Sequence, residues 1–299
     1  MQIRQGIHMT CNLLESIINL TKFKTTDLSN YNTSYEIGIN SEGERLEFYI
    51  KDSLSNTFDV VGKEDKEEKY SEEFAWLGNQ NNPPDIILKQ GDAYEIKKTK
   101  SVSPTIALNS SPPKSVLHSD DPRITTDCRN CDGGSWEQKD IYYVMGHVRE
   151  NTLHHLFYVH GKCYAATREV YARIADAIIS AVKNVDLELK ETVELGRVNR
   201  VDPLGITDLR IRGMWQIQHP VRVFNYIYRP LPDRFGVAAL LLEEKYLSYP
   251  LRNRQTIERH DEISVMKVRV KDPNNPANRL NGILINHPRQ PSLKVNGDS

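Results

Sequence analysis

Apolar residues recur at helical spacing in three stretches of the chain. Over 9–24 they are Leu13, Ile17, Ile18 and Leu20, over 44–54 Leu46, Tyr49, Ile50 and Leu54, and over 167–185 Val170, Ile174, Ile178 and Val182. Each stretch reads as an amphipathic helix. Strand signatures are shorter: 85–89 and 94–98 around a Gln-Gly-Asp turn, then 141–148, 156–160, 221–228 and 263–270. Residues 208–217 alternate cleanly, with Leu209, Ile211, Gly213, Trp215 and Ile217 on one side and Arg210, Arg212, Met214 and Gln216 on the other. Between these lie a polar loop at 27–41, a charged run at 62–73 that reads as a solvated loop or helix face, and a Pro/Asn turn cluster at 271–277. The stretch 103–134 has little periodicity and reads as one long loop, of a length that is functional or disordered.

Composition narrows the class. The 299 residues are 38% hydrophobic and 26% charged, as in an ordinary globular protein with a sizeable core. No apolar run approaches the ~20 residues that cross a bilayer, and Glu15 interrupts the only apolar stretch near the start. A cytoplasmic location is therefore expected, with no membrane partner. Four cysteines (Cys11, Cys128, Cys131, Cys163) are too few for a disulfide scaffold and fit a reducing compartment. A net charge of −1 argues against broad nonspecific binding to nucleic acid, but leaves room for a local basic surface.

The candidate chemistry sits in PPDIILKQGDAYEIKKTK, residues 83–100. Glu95 and Lys97 are two apart on one strand and so share a face, while Tyr94 and Ile96 point into packing. Asp85 joins that face only if the connecting turn holds an odd number of residues; a Gln90-Gly91-Asp92 turn would set Asp85 opposite Lys97. A hard cation such as Mg²⁺ takes carboxylate oxygens and keeps several waters. Asp85, Glu95 and the backbone carbonyl of Ile96 could hold one against a phosphodiester, with Lys97 orienting a water or offsetting developing charge. This is the pattern of the PD-(D/E)xK nucleases. Glu47, beside the apolar stripe of the upstream helix, is a candidate extra carboxylate. The competing reading is a hairpin with surface charges, because D…ExK is a short motif that arises by chance.

Longer segments also resemble a known family. NNPPDIILKQGDAYEIKK (81–98), ALNSSPPKSVL (107–117), WEQKDIYYVMG (136–146), ELGRVNRVDPLGITDLRIRGMW (194–215), FNYIY (224–228), KDPNNPANRLNGILI (271–285) and GERLEFYIKDSL (43–54) are similar to the NgoPII-type type II restriction endonucleases, which cut GGCC. The resemblance implies an α/β (α+β) fold: a restriction-endonuclease-like core, a mixed β-sheet flanked by helices, with additional strands in the C-terminal half. It implies a Mg²⁺-dependent homodimer that cleaves double-stranded DNA, with a cognate methyltransferase acting on the same site. Asp85, Glu95 and Lys97 fall on the family's catalytic pattern, and Glu47 on its upstream helix carboxylate. The chain departs from the pattern at 128–134 and beyond 287. A single domain over 1–299 is expected, with a catalytic core at about 40–185, recognition and dimerisation elements at about 186–286, and a disordered tail at 287–299.

Reading GGCC needs guanine contacts, for which an arginine fork is the commonest device. Arg197, Arg200, Arg210 and Arg212 could supply it, with Asn199 nearby; the alternative for each is a phosphate contact or a surface ion pair. Asn109, Ser110, Ser111 and Lys114, just after the ExK strand, could clamp the DNA backbone or form a plain polar loop. The apolar strands around 224–228, which is rich in aromatic residues, and 237–242 could bury a dimer interface or form core. Cys128 and Cys131 have half the spacing of a zinc site, with Cys163, His147 and His160 as the remaining candidates, but no second pair. A non-catalytic DNA-binding protein on a nuclease-like fold is the alternative function.

Overall fold

The computed structural model describes residues 11–23, 26–29, 41–79, 82–101, 105–183, 196–198, 209–211, 213–232 and 234–288. Helix α1 (Leu13–Lys22) starts at Asn12, whose side chain accepts from the amides of Leu14 and Glu15 while Glu15 reaches back to the Asn12 amide. Helix α2 (Glu42–Ser55) has the same reciprocal cap from Ser41 and Glu44, and ends at Asn56 in the left-handed conformation. The charged run folds as α3 (Lys63–Glu73). It is not fully solvated: Lys66 is buried against Asp52 at 2.6 Å, and Tyr70 donates to the same carboxylate.

The strands are β1 (Phe74–Asn79), β2 (Asn82–Leu88), β3 (Ala93–Thr99), β4 (Thr105–Asn109), β5 (Val116–His118), β6 (Gln138–Arg149), β7 (Thr152–His160), β8 (Gly196–Val198), β9 (Leu209–Ile211), β10 (Trp215–Gln218), β11 (Gly236–Leu242), β12 (Ser264–Lys271) and β13 (Arg279–His287). One mixed sheet runs β1-β2-β3-β6-β7-β11-β13-β12, with β5 paired to the start of β6. The β3/β6 and β7/β11 pairs are parallel and the others antiparallel. The remaining helices are α4 (Thr126–Asn130), α5 (Gly161–Tyr164), α6 (Arg168–Lys183), α7 (Pro220–Val223), α8 (Glu243–Ser248) and α9 (Leu251–Glu258). This is the expected α/β architecture.

Alternation along the central strands makes two cores. From β6, Tyr142, Val144 and Val148 face the helices α1 and α2, while Ile141, Tyr143 and Met145 face the other side. Strand β11 does the same with Val237, Ala239 and Leu241 against Ala238, Leu240 and Leu242. Burial on both faces explains why its sequence is a continuous apolar run. Residues 237–242 and the rings of Phe224 and Tyr228 are therefore core.

Three local expectations change. Residues 105–134 are not one loop: β4 pairs with the distant β10, β5 pairs with β6, and α4 is capped by Thr125. Their apolar residues Ile106, Leu108, Leu117, Ile124 and Cys128 are buried by partners far away in sequence, which local periodicity does not reveal. The stretch 221–228 starts as helix α7 instead of a strand, because Pro220 stands in its first turn and His219 caps the Val221 amide. The alternating run 208–217 splits into β9 and β10, each in its own two-stranded sheet. Of the loop expected at 27–41, residues 30–40 lie outside the described residues, as do 186–195 at the expected start of the recognition elements and 289–299 of the expected tail, while His287 still ends β13.

Candidate active site

The β2–β3 hairpin turns through Lys89, Gln90 and Gly91, with the Leu88 amide donating to the Asp92 carbonyl at 3.0 Å. The Gly91 amide donates to the Leu88 carbonyl at 3.0 Å, and Gln90, third in that β-turn, takes a positive φ of 52°. The turn is odd, as the site demands, but begins one residue earlier than expected. Ile86 pairs with Tyr94 and Ile87 with Ala93, so continuing the register sets Asp85 across from Glu95 and not Lys97. A shift of two residues keeps every side chain on its face, so the carboxylates and the lysine still converge. Tyr94 and Ile96 are buried in the core on the opposite face, as predicted.

Three observations define the cluster. The Asp85 carboxylate accepts from the Ile96 amide at 2.5 Å, so its side chain takes a hydrogen bond beyond the last β2–β3 rung. Lys97 Nζ lies 2.6 Å from Glu95 Oε1. Glu95 Oε2 is buried without a hydrogen-bond partner. Electrostatics follow from this crowding. Burial and then the Glu95 charge push the Asp85 carboxyl up to about 8, against the pull of Lys97 and the Ile96 amide. Burial works against the charged form of Lys97, but Glu95 and Asp85 outweigh it and raise its pKa. Glu47 is also raised, by burial, despite Lys51 and Lys97. It belongs to α2, whose other face packs Leu46, Tyr49 and Ile50 into the core.

The cluster can therefore take up a cation. Two carboxylates with one orphaned buried oxygen, held by burial and mutual repulsion at a cost, gain from a positive ion with room for waters. Among the described residues no three carboxylate, histidine or cysteine side chains form a ready-made cage. Asp85 and Glu95 supply two donors, so the rest of a coordination shell would come from backbone, water or phosphate.

Other predicted site residues are scattered. Asn109 ends β4 in the left-handed region (φ 54°), across from Trp215. The Ser110 carbonyl accepts from Arg123 Nε at 3.1 Å. Lys114 is buried: its ammonium donates to Ser111 Oγ at 2.5 Å and pairs with Asp121 at 3.0 Å. Its backbone amide donates to Tyr143 Oη at 2.7 Å, and Tyr143 is the β6 neighbour of Glu95. The 109–114 turn is thus tied to the site through Tyr143. Arg197 and Arg210 are cross-strand partners in the β8/β9 ladder. Asn199, Arg200 and Arg212 lie outside the described residues. The zinc candidates do not converge, for His160 pairs with Asp140 and His147 bonds the Lys100 carbonyl.

Gly78 went unnoticed in the sequence. A Cβ there would stand 2.3 Å from the Pro84 carbonyl oxygen and 3.0 Å from the Asp85 Cα. Only glycine lets β1 press this closely on the residue that carries the first carboxylate. A glycine in a short strand is a visible signal for such an approach, but its partner is not.

The NgoPII restriction endonuclease family matches residues 11–272 of the chain. The type II restriction enzyme NgoPII of Neisseria gonorrhoeae is 39% identical over 279 residues, covering 92% of this chain and 99% of that enzyme. No solved structure matches.

Proposed function

The chain belongs to the NgoPII restriction endonuclease family, and from that premise we propose that it is a type II site-specific deoxyribonuclease that hydrolyses double-stranded DNA at GGCC in a Mg²⁺-dependent reaction. The observation that carries the catalytic assignment is the orphaned, buried Glu95 Oε2 beside the Asp85 carboxylate and the Lys97 ammonium. Asp85, Glu95 and the Ile96 carbonyl would hold the ion, with Glu47 as a further carboxylate on the α2 side. A bound Mg²⁺ would supply Lewis acidity and a more acidic water. Lys97 holds a water's oxygen in line with the phosphorus and offsets charge on the pentacovalent phosphate. Tyr143 and Gly78 fix the strands on either side, so the reacting groups meet with little reorganisation.

Recognition would fall to Arg197, Asn199, Arg200, Arg210 and Arg212, with Asn109, Ser110 and Ser111 against the backbone. Lys114 contributes by shaping that turn, since its ammonium is engaged with Asp121. A palindrome presents two equivalent strands, so a twofold homodimer suits it. Support for a dimer surface comes from α6. Val170, Ile174 and Ile178 form an apolar row, 37%, 45% and 37% exposed. Tyr171 on the neighbouring row is pinned edge-on to Trp215 at 5.5 Å. A cognate methyltransferase protecting the same sequence is the functional counterpart. No described helix is long and apolar enough to cross a membrane.

The test is plasmid cleavage with Mg²⁺, with EDTA, and with Asp85→Ala, Glu95→Ala and Lys97→Ala. Each variant should lose cleavage by at least about a hundredfold, as removal of a key electrostatic group does. Binding to GGCC in Ca²⁺ should persist. Wild-type rates in either carboxylate variant would sink the assignment, and cleavage at another sequence would sink GGCC.

A further inference from the structure

Cys128 and Cys131 lie in a turn outside the active site that nevertheless holds the catalytic hairpin. The Cys131 amide closes the end of α4 on the Cys128 carbonyl, which places the two side chains on one side of a single turn. Cys128 is buried in the second core and Cys131 is half-buried, and the two thiols are close enough that each shifts the other's pKa, Cys128 upward and Cys131 downward. Trp136 Nε1 is buried without a conventional partner and is close enough to favour a negative Cys131 sulfur. Lys139 adds a positive charge and stands 5.7 Å from the Trp136 ring centre.

The next residue, Asp132, accepts from the Gln90 amide at 2.7 Å and from Lys139 Nζ at 2.7 Å. Lys139 also donates to the Gly91 carbonyl at 3.1 Å. Both gripped groups belong to the turn between β2 and β3. Asp132, Gly133 and Gly134 all have positive φ, so a change at Cys131 enters the turn at a run of left-handed residues.

We propose that Cys128 and Cys131 form a redox-active dithiol that exchanges with a low-molecular-weight disulfide, and that its closure loosens the Asp132 and Lys139 grip on the catalytic hairpin. Cys131, having given its proton to solvent, attacks one sulfur of the small disulfide. That disulfide's bond breaks, and the departing thiolate takes up a proton. Cys128 Sγ then attacks Cys131 Sγ, losing its own proton and expelling the second small thiol. Two protein thiols are oxidised while one small disulfide is reduced to two thiols. A lowered Cys131 and a raised, buried Cys128 suit the attacking and resolving roles. Reversible pairs of this kind are the form disulfides take in reducing compartments.

The reduced full-length chain is incubated with oxidised glutathione, alkylated and mapped by peptide mass spectrometry. The peptide spanning 128–131 should lose two hydrogens and refuse the alkylating agent, while Cys11 and Cys163 remain free. Cys128→Ser should trap glutathione on Cys131. Oxidation should lower GGCC cleavage several-fold and dithiothreitol should restore it, with Cys131→Ser and Cys131→Ala both insensitive. The cleavage readout rests on the proposed nuclease activity, whereas the mass readout does not. Glutathione on Cys11 alone, a pair protected by tightly bound zinc on metal analysis, or a disulfide that leaves cleavage unchanged would each overturn the proposal.

Discussion

At the scale of single residues, the proposed site would trade stability for chemistry. Asp85 is held where burial and the Glu95 charge both oppose its ionised form. Replacing it by Asn keeps an oxygen for the Ile96 amide and removes the proton uptake that folding imposes on this carboxyl near pH 7, where the unfolded chain's Asp is ionised. Asp85→Asn should therefore melt higher than wild type in EDTA at neutral pH, by about 1–3 kcal/mol, and have no measurable cleavage. An unchanged or lower melting point would show that the carboxylate is not under strain. Gly78 makes the opposite case. Gly78→Ala pushes a methyl into the Pro84 carbonyl and the Asp85 backbone, where neither can yield as a flexible side chain would. The expected cost is about 1–3 kcal/mol in urea midpoint, with cleavage reduced more than tenfold. Wild-type values in both assays would mean that β1 does not position Asp85.

Among elements, the α7 segment illustrates what pattern reading sees and what it misses. Phe224 and Tyr228 are buried as expected, but they reach the core from a capped turn, Tyr228 stacking on His155 of β7 with rings 5.7 Å apart. His155 Nε2 lies 2.7 Å from Tyr228 Oη. Burial, then the neighbouring His219, brings the His155 pKa down to about 3, so the folded protein keeps it neutral where the unfolded chain takes a proton. Stability should thus fall as pH drops below about 6.5, at up to about 1.4 kcal/mol per unit, until the folded form also protonates near 3. His219, lowered by burial to about 4, adds to the same window. Urea midpoints at pH 7 and pH 5 test this, and His155→Phe should flatten the slope even though it leaves Tyr228 Oη unpaired. The same slope in that variant would assign the acid sensitivity elsewhere. Elements whose signal is local were legible: α2 from its stripe, the β2–β3 hairpin from its turn, and β11 from its apolar run. The faces of Glu95 and Lys97 followed from period two alone. Strands β4 and β5 were hidden because their partners are distant, and the hairpin register was two residues off because turn composition does not fix where a three-residue loop begins.

For the whole molecule, the open question is how one hairpin could cut two strands. The apolar segments first considered for an interface, 224–228 and 237–242, are consumed by the core. The row Val170, Ile174, Ile178 on α6 is where apolar surface remains exposed at regular spacing. Three side chains bury too little on their own for a stable dimer, which takes roughly 800 Å² per partner, so α6 would act as the centre of a larger patch or as an interface completed on DNA. A charge at the middle of that row would have to be buried in a twofold pair twice over, once from each copy. Ile174→Glu should therefore leave folding and the Asp85–Glu95–Lys97 cluster intact, while light scattering of its DNA complex gives the mass of one 34.3 kDa chain instead of two. Supercoiled plasmid should then pass through an accumulating nicked circle before it becomes linear, where wild type yields linear product directly. A dimeric Ile174→Glu complex that still makes concerted double-strand breaks would remove α6 from the interface, and a monomeric wild-type complex would remove the dimer itself.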